Sequence, residues 1–177
     1  MDQDAVDLAL LAFRCAIGAV MFAHGWNHIF RGGKIQGTAG WFASLGMKPG
    51  ILHAWLASLA ELAAGASLVL GLLTPLGAAA VVGTMTVALV TNHRGNGFFI
   101  FRPGEGWEYV MTLIACGVAL GVVGPGQWSL DEALDLFQTD GAPIPGGLGL
   151  AIVLIAGFGG AVALLVGFWR PEPKPAD

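Results

Sequence analysis

Two histidines lie one helical turn apart in the stretch MFAHGWNHIFRGGKIQG, residues 21–37. Residues four positions apart share one face of a helix, so the rings of His24 and His28 would point the same way. Imidazole binds metals, donates hydrogen bonds and exchanges protons near neutral pH. The pair resembles half of an H-E-x-x-H zinc site, but the residues between the two histidines do not complete that motif. The chemistry therefore depends on which other polar groups reach the same place.

Two charged side chains, Arg14 and Glu61, stand inside otherwise apolar segments. A charge within a bilayer is costly and usually marks either a functional site or an ion pair. Counted by helical rise, Arg14 lies roughly 10 Å and Glu61 roughly 18 Å from the outer end of its segment. A long arginine side chain can bridge that difference, and two unpaired charges at such depth would each be unfavourable. We therefore predict an Arg14–Glu61 ion pair.

The same counting brings three further polar residues to one level. His24, His93 and Glu108 each lie roughly 24–26 Å from the outer end of their segments, and Glu61 lies about two turns nearer the centre. The inner faces of helices meet in an up-and-down bundle. We therefore predict a polar pocket of His24, Glu61, His93 and Glu108 at the cytoplasmic end of the bundle. His28 lies one turn further out, where an interface anchor is expected.

Such a pocket suits two kinds of ligand. A quinone needs a hydrogen-bond donor at each carbonyl and an apolar or aromatic wall, for which Trp26 and Trp41 are near. Two histidines and two glutamates also suit zinc or iron. The Glu-x-x-His motif of di-iron bundles is absent, however, so the sequence favours a quinone over a metal. The alternative for each tryptophan alone is an ordinary anchor at the membrane surface.

The two cysteines, Cys15 and Cys116, both lie inside apolar stretches. Helical rise places each about 12 Å from the outer face, on helices that a bundle makes neighbours. A redox pair is therefore one alternative. Apolar surroundings keep thiols protonated and unreactive, which favours the other alternative of two inert buried thiols.

The elements that must position these residues are membrane helices. The 177-residue chain is 55% hydrophobic and only 11% charged, whereas soluble domains carry about 25% charged residues. A membrane-spanning helix needs about 20 mostly apolar residues. Five segments meet or approach that length: 7–30, 55–73, 76–92, 108–124 and 148–169. The fold class predicted is an all-α membrane protein, with the lipid bilayer as its surroundings.

Shorter elements are predicted between the spanning segments. Residues 38–46 form a helix at the membrane surface, with Thr38 as its N-cap. Residues 128–137 form a second surface helix, in which Ser129 and Glu132 have the spacing of a capping box. Residues 95–107 form a glycine-rich loop with an aromatic patch.

The last apolar segment has its own pattern. Gly159, Ala163 and Gly167 are spaced by four, and small residues at that spacing allow close helix contacts in lipid. We expect this ridge to face another helix, so residues 148–169 are available to a protein partner or to a second copy of the chain. The domain boundaries predicted are a helical bundle with its surface helices, a loop, the added helix and a disordered tail, over residues 1–135, 136–147, 148–169 and 170–177.

The basic residues predict the orientation in the membrane. With five crossings, all seven Lys and Arg residues outside Arg14 fall on one side and none on the other. Basic loops stay in the cytoplasm, so we expect an external N-terminus and a cytoplasmic C-terminus. The acidic start of the chain is unlike a cleavable signal peptide. The basic residues form no run, which makes nucleic acid an unexpected partner.

Several stretches together resemble the DoxX family of small prokaryotic membrane proteins. No single motif is specific, but their order and spacing from about residue 8 to 135 match. The matching pieces are Arg14, the HG of His24-Gly25, GGKIQGTAGWFASLGM, ELAAGASLVLGLLTPLGA with Glu61, Met85, NHRGNGFF, Glu108 and GPGQWSLDEAL. The resemblance implies a four-helix transmembrane bundle in the plasma (inner) membrane, to which segment 148–169 adds a fifth helix.

The resemblance also implies a function. Some members of the family are associated with membrane redox systems, including a thiosulfate:quinone oxidoreductase subunit. The chain is therefore expected to be a membrane subunit of a redox system that contacts quinone through the polar pocket. No flavin, haem or iron–sulfur motif is visible, so it is at most a subunit of a membrane oxidoreductase. The alternatives are a non-catalytic anchor or assembly factor, and a pathway for small solutes or protons.

Overall fold

The computed structural model describes residues 2–137 and 146–172. Within these residues the chain is helical and contains no β-strand. Most of the predicted loop 136–147 and the end of the predicted tail lie outside the described residues. The helices are α1 (Gln3–Phe30), α2 (Lys34–Ser44), α3 (Gly50–Leu70), α4 (Thr74–Ala88), α5 (Glu108–Val123), α6 (Leu130–Ala133), α7 (Gly146–Ile152) and α8 (Gly160–Phe168), with π-helical turns Leu89–His93 after α4 and Val153–Gly159 between α7 and α8.

The apolar helices confirm the predicted fold class, an all-α, multi-pass membrane protein. Four stretches of the described chain are long and apolar enough to cross a bilayer: α1, α3, α4 with its π turn, and α7 through α8. The remaining predicted crossing, residues 108–124, corresponds to α5, which has 16 residues. At the usual helical rise its length is about 24 Å, somewhat shorter than the hydrocarbon core.

Glycines set the contact between α1 and α3. A Cβ atom built on Gly18 would lie 2.8 Å from the carbonyl oxygen of Gly65, and one built on Gly25 would lie 2.7 Å from that of Ser58. Only residues without side chains allow two helix backbones to approach this closely. The contacts fix an antiparallel register in which the end of α1 lies beside the middle of α3.

The C-terminal helix packs through a different face from the one predicted. Gly157 faces α4, where a Cβ atom would lie 3.0 Å from the Ala79 carbonyl oxygen, and Ala161 is buried. Ala163 is exposed, and no atom of another element lies near Gly167. Among the described residues, the Gly159/Ala163/Gly167 ridge therefore packs on no other helix, and its packing on a protein partner or a second copy stays a prediction. Small residues spaced by four occur on two faces of this helix, and the face with Gly157 packs on α4.

Arg14 binds the end of a helix and not Glu61, so the predicted ion pair is wrong. Its guanidinium donates hydrogen bonds to the carbonyl oxygens of Leu68 (3.0 Å) and Trp128 (2.6 Å). Helix α3 ends at Gly71, which has a φ of +63° and whose missing side chain leaves room for Arg14. The last carbonyls of a helix have no partner within it, and a cation satisfies them well.

Asp131 secures the start of α4 at the same end of the bundle. Its carboxylate accepts backbone hydrogen bonds from Leu73 (2.6 Å) and Thr74 (2.8 Å). The predicted capping box is present in part, because Ser129 accepts from the Glu132 amide at 3.2 Å. Helix α6 is only four residues long, however, and its buried residue is Asp131.

Helix α2 begins four residues before the predicted N-cap. Thr38 lies inside it and donates a hydrogen bond to the carbonyl oxygen of His28 at 2.8 Å. This bond ties α2 to the last turn of α1. Helix α2 is thereby held over the side of α1 that carries His28.

The end of α8 is fixed to the link between α2 and α3. The Arg170 amide donates to Gly46 (2.7 Å), and the Trp169 indole donates to the Leu45 carbonyl (2.9 Å). The guanidinium of Arg94 lies 5.2 Å from the centre of the Trp169 ring. These contacts hold the C-terminal helix against the bundle and show that Arg170 is ordered, where the tail was expected to start.

Candidate functional site

All four histidines of the chain line one cavity, together with Glu61. The cavity has a volume of about 570 Å³, within the range of small-molecule sites. Its walls are otherwise mostly apolar, and they come from α1 to α5 and from the C-terminal helix. Of the predicted pocket residues, His24, Glu61 and His93 are brought to this cavity.

Glu61 and His28 face each other across the space between α3 and α1. Glu61 Oε2 lies 3.3 Å from His28 Nε2, and the two side chains are only 6% and 16% exposed. The two atoms are not aligned as a hydrogen bond, so Oε2 is buried without a hydrogen-bond partner. The expectation that His28 is an interface anchor is therefore wrong. Helix α2 folds back over it and brings the rings of Trp41 and Phe42 to 6.1 and 6.2 Å from the imidazole.

His24 and Tyr109 form a second pair of rings at the cavity. The His24 Nδ1 lies 2.9 Å from the Val20 carbonyl oxygen. A carbonyl only accepts, so Nδ1 carries the hydrogen. The His24 ring stacks on Tyr109 with their centres 6.0 Å apart. Nε2 is then the His24 atom available to a ligand.

His93 is held in place at the end of the first π turn. Its Nδ1 donates to the Glu105 carbonyl oxygen at 2.8 Å, and its Nε2 lies 3.3 Å from the Asn92 side-chain nitrogen. Glu108 is elsewhere: it does not line the cavity, and its carboxylate accepts from the Ile100 amide at 3.1 Å. The predicted four-residue pocket is therefore wrong about Glu108. Loop 95–107 folds over the start of α5, and its backbone binds the Glu108 carboxylate.

Both π-helical turns of the described chain border the cavity. The first, Leu89–His93, supplies Asn92 and His93, and the second, Val153–Gly159, supplies Ala156. A π turn costs regular hydrogen bonding and is often found at functional sites. The following turns of α8 complete this wall with Gly160, Ala161 and Leu164. The added C-terminal helix is thus part of the cavity.

His53 is a cavity residue that the sequence reasoning missed. Its side chain is 2% exposed, and neither ring nitrogen has a hydrogen-bond partner. The Phe168 ring lies edge-on at 5.1 Å. The signal in the sequence was its position eight residues before Glu61, a spacing that stays within one broad stripe of a helix.

A second concavity lies on the outside of the bundle, between α1 and α3. This outer groove is lined by Phe22, Trp26 and Val69, with Arg31 at one end, and contains no histidine. Trp26, which we expected to form a wall of the polar pocket, lies here. Trp41 does line the cavity.

The cavity residues suit hydrogen bonding better than metal binding. In the described part of the chain, no three His, Cys, Asp or Glu residues are arranged to hold a metal ion. The histidines are instead spread around apolar walls. Cys15 and Cys116 are both free thiols and half-buried. The arrangement fits an apolar ligand that carries hydrogen-bonding groups on its edges.

Fold and cavity together define a multi-pass helical membrane protein with a histidine-lined site. Residues 9–94 match the family model DoxX, which supports membership of the DoxX family. The match covers α1 to α4 and ends at residue 94. The resemblance found in the sequence motifs continues further, to about residue 135. No curated protein and no solved structure was found to match. Two walls of the cavity, from α5 and α8, therefore lie beyond the matched residues.

Proposed function

We propose that the chain is the quinone-binding membrane subunit of a redox system. The observation that carries this proposal is the convergence of all four histidines and Glu61 on one mostly apolar cavity. Family membership supports the redox association. A quinone ring is flat and apolar on its faces and accepts hydrogen bonds at its carbonyl oxygens, which matches the distribution of polar groups in the cavity.

The Glu61–His28 pair is the group that binds the first carbonyl. The His28 imidazole donates to the quinone oxygen, and the Glu61 carboxylate lies 3.3 Å from the ring. Reduction of a quinone to a quinol takes two electrons and two protons. The buried pair supplies and replaces protons at this oxygen, and the electrons come from a partner protein that carries its own redox cofactor.

The proposed orientation places the cavity towards the cytoplasm. The described basic residues outside α1 lie at the end of the bundle that holds the cavity, among them Arg31, Lys34, Lys48 and Arg94. Arg14, Asp131 and the N-terminus lie at the opposite end. Under the positive-inside rule the N-terminus is external, and the partner reaches the cavity from the cytoplasmic side.

Binding of tritium-labelled decylubiquinone to the protein in lipid nanodiscs tests the proposal. We expect saturable binding that empty nanodiscs lack. Glu61→Gln and His28→Ala should each weaken it about tenfold or more, the effect of losing one good polar contact. Glu108→Gln is the matched control, because Glu108 lies outside the cavity and should leave binding unchanged. His24→Ala should have a smaller effect than His28→Ala, the reverse of the order that the sequence predicts.

Two results would contradict the proposal. The first is no saturable binding to a folded wild-type protein, which would favour the alternative of an anchor or assembly factor. The second is equal binding by the Glu61→Gln and Glu108→Gln variants, which would place the quinone outside the cavity.

A further inference from the structure

His53 is almost completely buried, and its ring nitrogens make no well-formed hydrogen bond. Only 2% of the residue is exposed, and neither Nδ1 nor Nε2 has a partner of good geometry, although the backbone of Lys48 lies near the ring. A neutral imidazole carries one donor and one acceptor, and burying both unpaired is unfavourable. Such groups in a native fold call for a partner, and His53 is one of the residues that line the cavity.

The position of His53 relates it to the Glu61–His28 pair. His53 and Glu61 lie on one helix, eight residues apart, and both line the cavity. Eight residues correspond to about 12 Å of helical rise and to directions about 80° apart around the helix, and both residues still line the cavity. The Phe168 ring covers His53 from the α8 side at 5.1 Å. The two polar groups therefore lie at two levels of one mostly apolar cavity.

We propose that His53 is the second polar anchor of the cavity and binds the far edge of the ligand. The proposal rests on the proposed function and restricts it: the ligand carries hydrogen-bonding oxygens on two opposite edges of a flat ring. Two hydrogen bonds of about 2.8 Å and the width of a ring with para oxygens together approach the roughly 12 Å of helical rise between the two residues. The geometry thus selects para-quinones over ligands with one carbonyl.

A second observation favours His53 over a purely structural histidine. The only other buried polar atom of the cavity without a hydrogen-bond partner, among the described residues, is Oε2 of Glu61. Polar atoms without a well-formed hydrogen bond thus occur at both levels of the same cavity.

Two matched probes test the proposal: 1,4-naphthoquinone, with para carbonyls, and 1-tetralone, with one carbonyl on a similar ring system. Their binding to wild-type protein in nanodiscs is measured by competition with labelled decylubiquinone. We expect the wild-type protein to bind the dicarbonyl at least tenfold more tightly. His53→Leu keeps the volume, removes both nitrogens and should abolish most of this preference. His53→Gln retains a donor and should restore part of it.

The results separate this inference from the proposed function. If naphthoquinone binds through Glu61 but His53→Leu keeps the wild-type preference, His53 is structural and the inference is overturned while the function stands. If naphthoquinone does not bind wild-type protein at all, both fail. If the His53→Leu variant unfolds, the test uses His53→Gln and the preference of the wild-type protein for one probe over the other. Equal binding of the two probes to wild-type protein would overturn the inference.

Discussion

Replacing Asp131 should destabilise the end of the bundle opposite the cavity. Its buried carboxylate accepts the backbone amides of Leu73 and Thr74 at 2.6 and 2.8 Å and lies within electrostatic range of Arg14. The loop after α5 is thereby fixed to the turn between α3 and α4. In Asp131→Ala both amides lose their acceptor, and the charge that balances the buried guanidinium disappears.

The magnitude follows from the two hydrogen bonds. A hydrogen bond to a charged group contributes about 1.5–3 kcal/mol net, and loss of a helix cap costs about 0.5–2 kcal/mol. Thr74 is fully buried, whereas Leu73 is 42% exposed and its amide can find water. We therefore count one bond fully and one in part, about 2–4 kcal/mol for Asp131→Ala. Asp131→Asn keeps one acceptor oxygen and should cost about half as much.

Reversible unfolding in mixed detergent micelles, followed by circular dichroism, measures these differences. Asp135→Asn is the matched control, because Asp135 is exposed and its backbone conformation suits asparagine as well as aspartate. The reasoning is refuted if Asp131→Ala unfolds within about 0.5 kcal/mol of wild type, the range of ordinary surface substitutions.

Three further predictions concern packing and orientation. Gly65→Val should separate α1 from α3 and lower the free energy of unfolding by about 2–3 kcal/mol in the same unfolding assay. The control Gly37→Ala, at a position with open space around it, should leave stability unchanged. Ala161→Leu should overpack the buried side of α8 and cost about 1–3 kcal/mol, while Ala163→Leu stays near wild type; the opposite order would restore the predicted ridge. Reporters fused to the C-terminus and to the segment between α5 and α7 should give opposite signals, and matching signals would mean that one helix does not cross.

The membrane helices could be predicted because hydropathy and length alone define them. The segment that ends at Phe30 was predicted to its last residue, since glycines and basic residues follow it. Counting depth along these helices also placed His24 and His93 at one level. That part of the site needed only helical rise, which is independent of packing.

The rest of the site depended on contacts that no local pattern shows. His53 lay before the predicted start of its helix at residue 55, while the structure begins α3 at Gly50. His28 was expected to be solvated, because the sequence does not show that α2 folds over it. Arg14 found backbone carbonyls at a helix end, and such partners are invisible in a pattern of side chains.

Photolabelling with an azido derivative of decylubiquinone tests the central claim most directly, because it locates the quinone on the chain. After irradiation in nanodiscs, mass spectrometry of peptides identifies the labelled residues, and excess unlabelled decylubiquinone measures specificity. We predict competable labels on the three cavity segments 53–61, 91–93 and 156–164 and a loss of label in Glu61→Gln. Label confined to the outer groove at Phe22, Trp26 and Val69, or label that competitor leaves unchanged, would contradict a quinone site in the histidine-lined cavity.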